Sequence, residues 1–112
     1  NIQEMATAAQ ENVNVKIVLF NNQSLGLVHQ QQNLFYGKRI MASRYERPTD
    51  FLKIADGFGM RAVDLDPAPN PRATLAEALN TPGPCLIHAS IDPNEFVYPM
   101  VPPGAANSEM IG

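Results

Sequence analysis

The stretch Val15-Lys16-Ile17-Val18-Leu19-Phe20-Asn21-Asn22-Gln23-Ser24-Leu25-Gly26-Leu27-Val28 decides the fold. Its first six residues are apolar but for Lys16. A short, nearly continuous apolar run of this kind reads as a strand buried on both faces of a parallel sheet. Two carboxamides at its C-terminal tip stand where open α/β sheets bind ligands. An amide oxygen is a neutral, hard ligand, suited to Mg²⁺ or Ca²⁺ already bound to phosphates. The plainer reading of Asn21-Asn22 is a turn after a strand, which Asn favours. Asn22-Gln23-Ser24 also spells a glycosylation sequon. At a buried strand tip it is set aside.

Outward from this strand the pattern alternates. Ile2, Met5, Ala6 and Ala9 fall at helical spacing and predict a helix over residues 1–12, with Asn1 its only candidate cap. Gly26 to Phe35 reads as a second helix, with Leu27, Gln31 and Leu34 on one face and Gly37 at its end. Residues 37–48 read as loop. Thr49 is a candidate cap for a third helix carrying Phe51, Ile54, Ala55 and Phe58 on its apolar face. A short strand is expected at Met60–Leu65. Asn70-Pro71 signals another helix start, with Leu75, Ala78 and Leu79 buried. Pro82-Gly83-Pro84 breaks the chain before a last strand, Cys85–Ile91. The order α-β-α-α-β-α-β implies an α/β fold: a partial doubly wound parallel sheet with helices on both faces. From Pro93 onward the chain is rich in proline and aperiodic, which argues for an extended C-terminal arm. The expected division is therefore residues 1–92 and an arm over 93–112.

Composition sets bounds. The 112 residues allow one small domain with a modest core. A hydrophobic content of 45% and a charged content of 17% suit an ordinary globular α/β domain. The net charge of −3 gives no support to nucleic-acid binding. Four of the eight basic residues lie between Gly37 and Arg47, where a solvated loop is the plain reading and an interface the sharper one. A single cysteine, Cys85, excludes an internal disulfide and fits a reducing, cytoplasmic compartment. No run approaches the roughly 20 apolar residues of a membrane span.

The remaining chemistry-bearing residues read mostly as structural. No Cys or His spacing suggests zinc. His29 is close to the carboxamide loop and is a weak candidate for touching a substrate or product. His88, inside a strand, reads as a hydrogen-bonded core residue, and Cys85 as a small core residue. Glu4 reads as a solvated helix position. Gly57-Phe58-Gly59-Met60-Arg61-Ala62 matches a dinucleotide fingerprint in letters only, because it runs from helix into strand rather than strand into helix.

The segments NIQEMATA (1–8), NNQSLGLVHQQQNLFYG (21–37), IADGFGM (54–60), PGPCLIHASID (82–92) and VYPMVPPGAANSEM (97–110) together resemble the C-terminal part of the acetolactate (acetohydroxyacid) synthase large subunit. That family depends on thiamine diphosphate and belongs to branched-chain amino-acid synthesis. The resemblance implies that the helix, the strand and Asn21-Asn22 are the second half of the family's cofactor motif. Its Gly-Asp-Gly half would lie upstream of Asn1, and the chain would be a fragment. A related thiamine diphosphate decarboxylase or oxidase would share Asn21-Asn22 but should lack the VPPGAANSEM arm. A non-catalytic α/β interaction domain would share the fold alone.

Residue by residue, the resemblance implies that Asn22 binds Mg²⁺ through its side-chain oxygen and Ser24 through its backbone carbonyl. Leu25, Gly26, Leu27 and Val28 would contact the cofactor, Leu27 supporting its bent shape where many relatives carry methionine. Gln31 stands where many family members carry tryptophan, a residue tied to preference for 2-ketobutyrate over pyruvate. Glutamine there looks like the isozyme I type of bacterial large subunit. The implied reaction joins two 2-ketoacids with loss of carbon dioxide. No catalytic residue is expected within this chain. The activating glutamate is expected from a partner subunit, FAD mainly from a middle domain, and the family assembles as homo-oligomers with a small regulatory subunit. The chain alone is expected to be inactive.

Overall fold

The computed structural model describes residues 2–112; Asn1, the candidate cap, lies outside the described residues. The elements are α1 (Glu4–Gln10), β1 (Lys16–Asn21), α2 (Gly26–Phe35), α3 (Phe51–Gly57), β2 (Arg61–Asp64), α4 (Pro71–Asn80), β3 (Cys85–Ser90) and a 3₁₀ turn at Asn107–Glu109. The order is the one the sequence pattern implies. The chain divides into two compact units. One holds the sheet, over the described residues up to Asn21 and Thr49–Ser90; the other holds Asn22–Pro48 and Ile91–Gly112.

In the sheet unit, β3 lies between β1 and β2 and runs parallel to both. Leu86 pairs with Ile17 on one side and Ala62 on the other. Successive strand residues point to opposite faces, so Leu86 and Ile87 serve different cores. Leu86 packs with Met5, Ala55 and Met60, joined by Ala8, Ile17, Phe51, Leu52, Phe58 and Ala62. Ile87 packs with Ala78 and Cys85, joined by Val63, Leu65 and Leu75. Thus α1 and α3 cover one face and α4 the other. Fully burying a side chain such as Ile87 contributes about 1.5–3 kcal/mol.

Three local expectations are corrected. Strand β1 is not buried on both faces: Val18 is exposed and Phe20 is 68% exposed. The reason is that α4 packs on β2 and β3, so the alternate side chains of β1 on that face lack a cover. The third helix is capped by Asp50, not Thr49. The Asp50 carboxylate accepts from the Lys53 N–H at 3.0 Å, which satisfies an orphan donor of the first turn. Helix α1 is shorter than the periodicity suggests, because Glu11 and Asn12 turn out of the helix and Asn12 takes a left-handed φ of 47°. The Asn70 cap is as expected, accepting from the Ala73 N–H at 3.1 Å with Pro71 opening α4. Among the described residues, no helix is long and apolar enough to cross a membrane.

The second unit is built around α2. Its buried face is not that of Leu27, Gln31 and Leu34. His29 and Gln30 are the buried pair, and Leu27 is 62% exposed. Hydrogen bonding rather than apolar packing sets this face, as the site below makes plain. The C-terminal arm is not extended either. It doubles back: Met100 and Ile111 exchange both backbone hydrogen bonds, at 2.9 and 2.8 Å, around the 3₁₀ turn. Two prolines and Gly104 allow the reversal, and the paired backbone groups would otherwise need water.

Candidate functional site

Directly after β1 the chain makes a tight turn closed by a side chain. Asn22 Oδ1 accepts the Ser24 N–H at 3.1 Å, and Gln23 between them takes a left-handed φ of 51°. So the plain reading of Asn22 as a turn residue is correct as far as it goes. It leaves the amide oxygen a second lone pair. Among the described residues nothing donates to the Ser24 carbonyl, and the Ser24 hydroxyl is buried without a partner. The turn is fastened by Leu25 N–H to Ser43 O at 2.7 Å and Tyr45 N–H to Gln23 O at 3.0 Å. These bonds flank a bridge between Ser24 and Arg44.

Helix α2 then starts without a side-chain cap at Leu25. The first helical bond is His29 N–H to Leu25 O at 2.9 Å. The N–H groups of Gly26, Leu27 and Val28 therefore have no acceptor among the described residues. Uncapped N–H groups and the helix dipole favour an anion such as a phosphate. Gly26 is where the backbone and the Asn22 amide meet: a Cβ there would lie 2.6 Å from Asn22 Nδ2. Leu25, Leu27 and Val28 are exposed. The donor set is two neutral oxygens, Asn22 Oδ1 and the Ser24 carbonyl, beside free N–H groups. That set fits a divalent cation whose remaining ligands are diphosphate oxygens.

Sequence reading missed what the three glutamines do. Gln30 is 2% exposed. Its Nε2 donates to Val97 O at 2.8 Å and its Oε1 accepts from Val97 N–H at 3.0 Å, much as a neighbouring strand would; Met100 Sδ is 3.3 Å from the same nitrogen. Gln32 does the same for the loop. It donates to Met41 O at 2.8 Å and accepts from Met41 N–H at 3.3 Å and Ser43 Oγ at 2.6 Å. Gln31 is left to line a cleft of about 490 Å³ with Val28, Gln32, Tyr36, Arg39 and Met41. Only the three consecutive amides hinted at this, since one polar run cannot say which member faces the backbone.

His29 does not reach out of the fold. Its ring is buried, 5.9 Å from the Phe96 ring, with Arg44 Nη2 at 3.4 Å from Nε2. Arginine can only donate, so Nε2 accepts and the proton sits on Nδ1, which has no partner among the described residues. Arg44 Nη2 also bonds Asn94 Oδ1 at 3.1 Å. Asn94, Phe96 and Val97 of the arm are thus held by Arg44, His29 and Gln30.

The sheet unit carries a separate polar row. His88 Nδ1 lies 3.1 Å from Asp64 Oδ1, and its Nε2 lies 3.1 Å from Asn21 Nδ2. This is the hydrogen-bonded His88 that the sequence suggests. Asp66 accepts from Ser90, whose hydroxyl and backbone N–H hold its carboxyl below the usual carboxylate range. Cys85 is buried as expected, and burial pushes its thiol up.

Comparison with known proteins joins these features. The family described as "Thiamine pyrophosphate enzyme, C-terminal TPP binding domain" matches residues 1–89. The chain is 56% identical over all 112 residues to the acetolactate synthase isozyme 1 large subunit of Escherichia coli (strain K12), covering 20% of that protein. It is 42% identical over 111 residues to the isozyme 2 large subunit of the same organism, 99% of this chain and 20% of the relative. It is 42% identical over 113 aligned residues, all of this chain, to the acetolactate synthase large subunit of Pyropia yezoensis, covering 19% of the relative. The chain spans about a fifth of the length of these curated relatives. It belongs to the thiamine pyrophosphate enzyme family, through that family's C-terminal cofactor-binding domain.

Proposed function

We propose that this chain supplies the diphosphate-binding part of an acetolactate synthase large subunit, a transferase that joins pyruvate to a second pyruvate or to 2-ketobutyrate. The observation that carries this reading is the Asn22–Gly26 turn. It offers an amide oxygen and a carbonyl oxygen beside three uncapped N–H groups, in a chain whose relatives bear that name.

Thiamine diphosphate, when bound, supplies the electron sink for removing carbon dioxide from a 2-ketoacid. Asn22 Oδ1 and the Ser24 carbonyl would hold Mg²⁺. The N–H groups of Gly26, Leu27 and Val28 would take diphosphate oxygens. The exposed side chains of Leu25, Leu27 and Val28 would cover the cofactor's apolar part and exclude water, with Leu27 bracing its bent form. Gln31, in the cleft, would face the second ketoacid. The anionic metal ligand, the activating glutamate and the principal FAD contacts would come from segments other than these 112 residues. The same reading brings homo-oligomerisation, a small regulatory subunit and a cytoplasmic setting. By itself the chain forms no acetolactate.

The test is Asn22→Ala in the complete protein carrying this chain. Removing a ligand that also orients the diphosphate costs on the order of 1–3 kcal/mol, the penalty for leaving a polar partner unmatched. Half-saturation by Mg²⁺ and thiamine diphosphate, followed through acetolactate formation, should rise accordingly. Unchanged half-saturation for both would reduce Asn22 to a turn residue.

A further inference from the structure

The cleft lined by Gln31 has two walls. Val28, Gln31 and Gln32 come from α2; Tyr36, Arg39 and Met41 come from the helix end and the loop after it. That loop is irregular, with left-handed φ at Gly37, Lys38 and Ala42. What fixes it at Met41 is the Gln32 amide, which bonds both the N–H and the C=O of Met41 and takes the hydroxyl of fully buried Ser43. The Met41 backbone is therefore held while its side chain is 77% exposed. A thioether presented in this way is an apolar, adaptable surface. Gln31, which also lines the cleft, offers a polar amide. Arg39 donates through Nε to Tyr36 O at 3.2 Å and has no acidic partner among the described residues, leaving a cation in a cleft otherwise neutral.

We propose that Met41 is the specificity-determining wall of this cleft, contacting the apolar end of the second 2-ketoacid, and that Gln32 is the residue that positions it. The proposal rests on reading the chain as part of an acetolactate synthase, with Gln31 at the second-ketoacid site. A glutamine at position 31 cannot cover a methyl group with a fixed apolar surface, so discrimination between pyruvate and 2-ketobutyrate falls to Met41, with Val28 and Tyr36 beside it. The Arg39 guanidinium suits the carboxylate of the same substrate.

The experiment is competition between pyruvate and 2-ketobutyrate in the complete protein, scoring acetohydroxybutyrate against acetolactate. Met41→Ala should lower that ratio by about three- to tenfold, at or below the low end of what one methylene is worth in an apolar pocket. Gln32→Glu keeps the acceptor for Met41 N–H but loses the donor to Met41 O, so it should move the ratio the same way by less. A purely structural role for Gln32 would lower the unfolding midpoint without moving the ratio. Gln31→Trp serves as the reference. If it shifts the ratio and Met41→Ala does not, the Met41 proposal falls while the reading of Gln31 stands. If neither shifts it, the second ketoacid does not sit in this cleft and both are overturned. A wild-type protein that makes neither product overturns the underlying reading as well.

Discussion

A methyl group on Gly26 would lie 2.6 Å from Asn22 Nδ2. The residue that opens α2 and the residue proposed to hold the metal are thus fitted to each other. Gly26→Ala separates fold from site. No left-handed φ is needed at Gly26, and alanine is a better helix former by up to about 1 kcal/mol. The Asn22 amide is the end of a flexible side chain and can swing away. Because that swing also gives up the Ser24 N–H bond to Asn22 Oδ1, offsetting the helix gain, the unfolding midpoint should stay close to wild type while half-saturation by Mg²⁺ and thiamine diphosphate increases. Titration of the complete protein with each, beside a thermal melt, checks this. An unshifted titration would show that the fit is incidental.

Gln30 should prove the arm's anchor. Its amide meets both backbone groups of Val97. Gln30→Leu keeps the volume but removes the partner of the Val97 N–H and C=O; Val97 is itself exposed, so water can take up part of the loss and the cost is about 1 kcal/mol. Amide exchange at Val97 should accelerate markedly, with Met100 and Ile111 following if their pairing depends on the docked arm. Protection at Val97 equal to wild type would mean that Phe96 and Asn94 hold the arm without Gln30.

The architecture was legible because its signals are local. The run Val15–Phe20, the Asn70-Pro71 start and the break at Pro82-Gly83-Pro84 each fix an element without reference to the rest. What was not legible depends on partners distant in sequence. Phe20 reads as core, yet its exposure is decided by where α4 lies. Gln30 carries no signal of burial in the sequence, since its partner is 67 residues away. The doubling back of the arm turns on Met100 meeting Ile111, and no periodicity announces a single bridge. The site was half visible. Asn22, Ser24 and Gly26 stand out by residue type, whereas Gln32, Met41 and Arg44 become informative only once the loop is placed beside α2.

Asp66 gives a pH signature. Its carboxyl lies below the ordinary range because the Ser90 hydroxyl and N–H bond the ionised form. A depressed folded value stabilises the fold above the unfolded value of about 3.9. That contribution is lost as pH falls through the lower folded value. Asp66 is largely exposed, so solvent screens the effect and it should be small. The difference in unfolding midpoint between wild type and Asp66→Ala should be constant at neutral pH. It should narrow only in the acid limb, below the usual carboxylate range. A difference that already narrows near neutral pH would show that Asp66 is not its source.

Cys85 carries the opposite dependence. The thiol sits 2% exposed between Ala78 and Ile87, and burial raises its value because a thiolate there would lose its water. Among the described residues the thiol's only hydrogen bond is a weak one to Leu86 O at 3.7 Å, which gives a thiolate no compensation. The folded chain therefore holds the proton at a pH where the unfolded chain releases it. Any stability that Cys85 adds is fully present below the unfolded thiol value of about 8.5 and declines as pH rises through the raised folded value. Two measurements follow. A disulfide reagent should label Cys85 slowly at pH 8 in the folded protein and at once in denaturant, since the thiolate is the reacting form. The unfolding midpoint of wild type relative to Cys85→Ala should fall as pH is raised from 7 to 10. Rapid labelling of the folded protein, or a midpoint difference that does not change with pH, would show that this position opens to solvent and is not part of the core beneath α4.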